Sequence, residues 1–286
     1  MFVIIGYVVV LACVLGGYAL TGGNFAVLLH AVPHEMLVIA GAAIGAFLVG
    51  NSGKGISATV KALPRAFQGT KQSRARYLAL MALLFDVLTK MRKEGMLAIE
   101  ADVEEPANSA LFQKHPLVAA DHHLLEFITD YLRMMVSGNL KPHEIESLMD
   151  QEIDTYHHEA LAPSHALQKV GDALPAFGIV AAVLGVVKTM ASVGKPPAEL
   201  GVMIAGALVG TFLGILLSYG FVSPLAALLA QKADDSTKEL QCVKATLLAS
   251  LQGYPPAVAV EFGRKVLFSA ERPSFAELEQ HVKQKR

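Results

Sequence analysis

The sequence predicts an all-α membrane protein with four transmembrane helices and a large cytoplasmic helical region. Three observations carry this: apolar residues gather into four long runs, no alternating apolar–polar stretch of strand length occurs, and helix start and stop residues bracket the polar parts. Hydrophobic residues make up 53% of the 286 and charged residues only 17%, against about 25% in a soluble domain. A disordered chain needs the opposite balance and is excluded. The net charge of −1 leaves no basic excess to neutralise phosphates, which excludes a nucleic-acid binder. Cys13 and Cys242 lie far apart and in no metal-ligand spacing, so neither a disulfide scaffold nor a zinc ribbon fits.

Residues 1–20 carry no charge, and about 20 apolar residues cross a bilayer core. They lack a basic n-region and a small-residue cleavage site before Thr21, so a retained helix is expected rather than a secretory signal. Residues 36–50 are uncharged but shorter, and must recruit His34, Glu35, Asn51 and Ser52 at their rims. Residues 174–193 form the third run, broken only by Lys188, which lies near one end and can snorkel. Residues 201–230 are uncharged throughout. Lys54, Lys61, Arg65, Lys71, Arg74 and Arg76 follow the second run with no acid among them, whereas the link 21–33 holds no Lys or Arg. By the positive-inside rule residues 51–170 are cytoplasmic, as are both termini, and 193–200 is a short external turn. The expected segments are 1–50 (transmembrane helices 1 and 2), 51–169 (cytoplasmic helical region), 170–230 (transmembrane helices 3 and 4) and 231–286 (cytoplasmic helical tail).

Within the cytoplasmic region, residues 76–93 read as an apolar-faced helix stopped by Gly95. Residues 121–137 start on a capping Asp and end before Gly138. Pro142 can open a helix through the acidic stretch 144–159, and tail helices at 243–251 and 257–267 flank Gly253, Pro255 and Pro256. The string from Gly50 to Lys54 imitates a phosphate loop, but Leu48 and Gly55 stand where that motif needs Gly and a hydroxyl. It reads as a small-residue membrane exit. The pairs His122–His123 and His157–His158 point about 100° apart on a helix and read as surface histidines. No nucleophile–base grouping is recognisable, so no enzyme, cofactor or metal site is expected.

Gly206, Gly210 and Gly214, and again Gly41 and Gly45, let helix backbones approach closely, either within one chain or between chains. Pro175 and Pro224 each remove a backbone hydrogen bond and clash with the carbonyl four residues earlier, at Gly171 and Gly220. They read as a hinge or ion exit, or as plain helix boundaries. The cores of all four spans hold no Asp, Glu or Arg, and Thr211 is the notable polar group of the fourth. Moving ions needs an ionisable relay or an oxygen cage at membrane depth. The chain therefore conducts little alone, or a partner helix brings the carboxylate.

The strings VGDALPAFGIVAAVLGVV, AELGVMIAGALVGTFLGILLSYGFVSPLA and QCVKATLLASLQGYPPAVAVEFGRKVLFSAERPSFAELE resemble the MotA family of bacterial flagellar motor stator proteins, in the MotA/TolQ/ExbB proton channel superfamily. The likeness runs from Met1 to about His281, with differences in charge detail at 94–101. It implies an inner-membrane stator subunit that forms a proton channel with MotB and converts ion flow into torque on the rotor protein FliG. MotB would supply the ion-carrying aspartate and the peptidoglycan anchor, inside a homo-oligomer, a pentamer around a MotB dimer. The family's prolines fall on Pro175 and Pro224, its rotor-facing charges on Arg92 and Glu100, and its ion-path threonine on Thr211. Where sodium-driven relatives are expected to carry a second threonine stands Ala182, which implies protons. The alternative is an ExbB/TolQ-type energiser of envelope transport, for which three membrane helices are expected instead of four. A transporter with its own substrate site is disfavoured by the lack of internal repeats and buried charge.

Overall fold

The computed structural model describes residues 2–69, 72–138 and 141–284, and among them there is no strand. Lys71, one of the basic residues used for orientation, lies outside the described residues. In chain order the helices are α1 (Phe2–Leu20), α2 (Phe25–Gly50), α3 (Gly53–Phe67), α4 (Arg74–Glu94), a 3-10 turn (Met96–Ile99), α5 (Glu100–Glu104), α6 (Ala110–Gln113), α7 (Pro116–Ala119) and α8 (His122–Ser137). Then come α9 (Pro142–Met190), α10 (Pro197–Leu217), a π-helical segment (Ser218–Val222), α11 (Ser223–Leu251), α12 (Pro256–Val266) and α13 (Phe275–Gln284). Among the described residues, four helices are long and apolar enough to cross a membrane.

The second span is longer than its uncharged run. The Asn24 side chain accepts from Ala26 N and starts α2, which then continues through Pro33. The expected link 21–33 shrinks to a turn at 21–24. A single proline deletes one helical donor, whereas leaving the helix inside lipid would strand many backbone groups. This carries Glu35, expected at a rim, well inside a span. The string from Gly50 to Lys54 is a helix-to-helix turn: Ser52 accepts from Gly55 N and caps α3. That amphipathic helix, not anticipated from sequence, buries Thr59, Ala62 and Ala66 and exposes Lys54 and Lys61.

Two further helices outrun their expected limits. α9 joins the helix opened by Pro142 to the third span in one 49-residue rod that passes Pro163 and Pro175. The fourth span does not stop at Pro224. The π segment lies just before it, with Ser223 N donating to Ser218 O, and the helix runs on to Leu251. A π turn is a common site of adjustment within a long helix. The expected boundaries at 169/170 and 230/231 therefore fall inside unbroken helices.

The chain forms two compact units, Met1–Gly69 with Glu159–Gln231 and Thr70–His158 with Lys232–Arg286. In the first, Ile39 and Ala43 of α2, Leu174 and Ala181 of α9, and Val209 and Leu213 of α10 make the core. A second small cluster joins Ala62 and Ala66 of α3 to Leu229 of α11. α1 buries no residue, yet Tyr7 donates its hydroxyl to Phe221 O in the π segment at 3.0 Å and packs its ring, tilted by 42°, against that of Phe221. Gly210 and Gly214 pack inside the chain. A Cβ at Gly178 would lie 2.8 Å from Gly210 O, and one at Gly214 would lie 2.6 Å from Leu174 O. Gly41 and Gly45 have nothing within 4 Å of a Cβ, so their face is uncovered in the single chain.

In the second unit, Leu80, Leu84 and Leu88 of α4 pack with Phe127 and Tyr131 of α8, Ile145 and Met149 of α9, Val243 and Leu247 of α11, and Val260 of α12. Gly95 (φ 92°) and Gly138 (φ 67°) end α4 and α8 in a backbone region open to glycine. Asp121 caps α8 by accepting from Leu124 N.

Candidate functional sites

The membrane positions singled out from the sequence lie at two levels of the first unit. A Cβ at Gly210, the neighbour of Thr211, would sit 3.2 Å from Ala182 N, so Ala182 and Thr211 share one level of the α9–α10 pair. Both are half-buried. A Cβ at Gly171, four residues before Pro175, would sit 2.6 Å from Ser223 Oγ, beside Pro224. The two prolines thus share a second level. Hydroxyls gather there: Ser164 donates to Ala226 O at 2.7 Å, and Gln168 Nε2 lies 3.4 Å from Ser223 Oγ.

The upper level also holds a carboxylate. Oε2 of Glu35 lies 2.6 Å from the point a Gly210 Cβ would occupy, and Ala181 Cβ lies 3.1 Å from that same point. This oxygen is buried and has no hydrogen-bond partner. The expectation that the span cores contain no acid is corrected by this placement. A sequence signal existed: Glu35 heads the spacing Glu35, Ile39, Ala43, and the last two are buried.

In the second unit, Arg92 in the last turn of α4 and Glu100 at the start of α5 are both exposed. Between them the 3-10 turn presents Leu97, 70% exposed, and Met96. This edge is tied to α4 through Asp102, which accepts from Lys90 Nζ and from Ser109 Oγ, each at 2.6 Å. Burial alone would raise the Asp102 carboxyl, but the Ser109 and Lys90 hydrogen bonds and the Lys90 charge hold it below its ordinary value.

Arg76, one of the row of bases used for orientation, is buried. Its guanidinium donates from Nε and Nη2 to Glu239, from Nη2 to Asp121 at 2.9 Å, and from Nη1 to Leu117 O at 3.1 Å. Burial opposes its charge, yet these two carboxylates keep it firmly protonated. The histidine pairs are only half at the surface. His122 and His158 are exposed, but His123 stacks on Tyr156 at 4.2 Å and His157 Nδ1 lies 3.0 Å from Thr237 Oγ1.

Four membrane-capable helices, glycine-mediated contact between two of them, and a polar level inside their packing define a multi-pass helical membrane protein of the ion-conducting class. Residues 4–95 match the motility protein A N-terminal family, and residues 119–242 match the MotA/TolQ/ExbB proton channel family. The chain is 54% identical to motility protein A of Salmonella typhimurium over 283 residues, 99% of this chain and 95% of the relative. Among solved structures, MotAB of C. jejuni aligns with a TM-score of 0.78 at 22% identity, covering 95% of this chain and 98% of that one. The flagellar MotAB stator complex from Bacillus subtilis aligns with a TM-score of 0.76 at 25% identity over the same shares. The chain belongs to the MotA/TolQ/ExbB proton channel family, in its motility protein A branch. It is a flagellar stator subunit and proton-channel component, not an enzyme. The match of residues 4–95 to the motility family weighs against the envelope-transport alternative.

Proposed function

We propose that this chain sits in the inner membrane with both termini cytoplasmic, that five copies surround a MotB dimer, and that protons crossing between them drive torque on FliG. Ala182 and Thr211 line the ion path, Pro175 and Pro224 couple ion binding to helix movement, and Arg92 with Glu100 meets the rotor. One charge crossing about 100 mV releases roughly 2.3 kcal/mol. At about 1.4 kcal/mol per tenfold, that biases a conformational step by a factor of about 50. Surface ion pairs with the rotor need only be weak for such a bias to act through them.

The observation that carries the choice of ion is the level shared by Ala182 and Thr211. Sodium asks for several oxygen ligands, whereas a proton needs a carboxylate and a water path. At this level α10 offers the Thr211 hydroxyl, α9 only the methyl of Ala182 and α2 the Glu35 carboxylate, which supplies the carboxylate a proton needs but few of the oxygens sodium asks for. Swimming speed measured against external sodium at fixed pH tests the reading. Independence of sodium, with collapse under a protonophore, is expected; a strong sodium dependence would overturn it.

A further inference from the structure

We propose that Glu35 is a proton-binding station on this chain's own side of the ion path, an inference that rests on the proton-driven reading above. The argument starts from cost. A carboxylate inside a span is expensive, and the groups retained there face the bundle interior and serve ion pathways. Glu35 meets that description geometrically. Its Oε2 is turned from α2 into the gap against α10, is buried, and has no partner. The space it fills exists because residue 210 is glycine; a side chain there would collide with the oxygen. The gap it enters is the level of Ala182 and Thr211.

The surroundings leave the group free to exchange a proton. α10 carries no titratable side chain between Glu199 and Tyr219, and α9 carries none between Asp172 and Lys188. The titratable neighbours are therefore on α2 itself: His34, next in sequence, and His30 one turn nearer Asn24, with their rings 6.0 Å apart. The step is a simple relay. The Glu35 carboxylate accepts one proton from a hydronium ion on the entry side, which leaves as water, and becomes a neutral carboxyl. It then gives that proton to water or to the partner helix's carboxylate, and the original carboxylate is restored. Nothing else is consumed.

A station sets how fast protons arrive, not how much energy each delivers. Glu35→Gln keeps the shape and removes the exchange, so motor speed at near-zero load should fall to half or less while stall torque is kept. The dependence of that speed on external pH, and its slowing in D2O, should change in the variant. A purely packing role would instead lower speed and torque together and leave the D2O ratio as it is. Glu35→Asp should restore low-load speed in part, with a displaced pH profile. A Glu35→Gln motor with the wild-type speed–load curve, pH profile and D2O ratio overturns the proposal, and so does failure of both variants to assemble in the membrane. The underlying reading is tested separately: an unaltered motor that keeps turning under a protonophore sinks the proton-driven reading itself, whereas an unchanged Glu35→Gln motor that still stops under a protonophore sinks only this inference.

Discussion

Asp102 shows how a single side chain contributes to the acid sensitivity of the second unit. Its carboxyl lies below its ordinary value in the folded chain, so it adds stability above the unfolded value of about 3.9. That contribution is lost as pH falls through the lower folded value. Asp102→Asn should lower the melting temperature at neutral pH and flatten the remaining loss on acidification; melting of the detergent-solubilised protein across pH checks both. A variant whose acid limb matches that of the wild type would refute the assignment. Three inward-facing charged residues share a pattern. Arg76 heads Leu80 and Leu84, Glu239 heads Val243 and Leu247, and Glu35 heads Ile39 and Ala43, each at intervals of four. A charge in register with an apolar stripe faces inward, and helical spacing reveals it only when each charge is indexed against the stripe. Which partner each finds, as Arg76 finds Glu239 across 163 residues, is a tertiary fact that periodicity does not contain.

At the scale of the element, the four spans and the caps at Gly95, Asp121 and Gly138 were legible because hydropathy and capping chemistry are local. Helix length was not. Proline was read as an end at Pro33 and, as one of two readings, at Pro224, and both lie within continuing helical backbone, the second just past a π turn. The glycines separate in the same way into those that matter inside one chain and those that do not. Gly178→Ala would place a methyl 2.8 Å from Gly210 O and 3.1 Å from Gly214 Cα, and backbone there cannot rotate away. Overpacking of this kind costs about 1–3 kcal/mol. Gly178→Ala should lower the melting temperature of the purified protein, while Gly41→Ala, with open space around it, should leave it unchanged. Equal effects from the two would contradict the contact between α9 and α10.

For the molecule as a whole, the rotor-facing surface proposed around Arg92 and Glu100 is open to a test between proteins. Exposed ion pairs contribute roughly 0–1 kcal/mol each, so single neutralisations should be mild. Reversing Arg92 to Glu should impair motility more, and a matching reversal on the rotor's charged face should recover part of it. No recovery from any such reversal would remove Arg92 from the interface. That surface was reachable from sequence through resemblance alone, since nothing in the spacing of Arg92 and Glu100 marks two surface charges as a docking edge.

The second unit is assembled from two stretches separated by the whole of residues 159–231, and this has a consequence for biosynthesis. The apolar face of α4, with Leu80, Leu84 and Leu88, is made long before Val243, Leu247 and Val260 that cover it. At about 5–20 residues per second, the roughly 70 intervening residues take about 4–15 s to translate, and two membrane insertions fall within that interval. During it α4 has α8 and the start of α9 to pack against, but the part of its face that α11 and α12 cover is still open. A ribosome stalled near residue 231 would therefore hold an aggregation-prone half-unit, and release of the remaining chain would be the step that makes the protein protease-resistant.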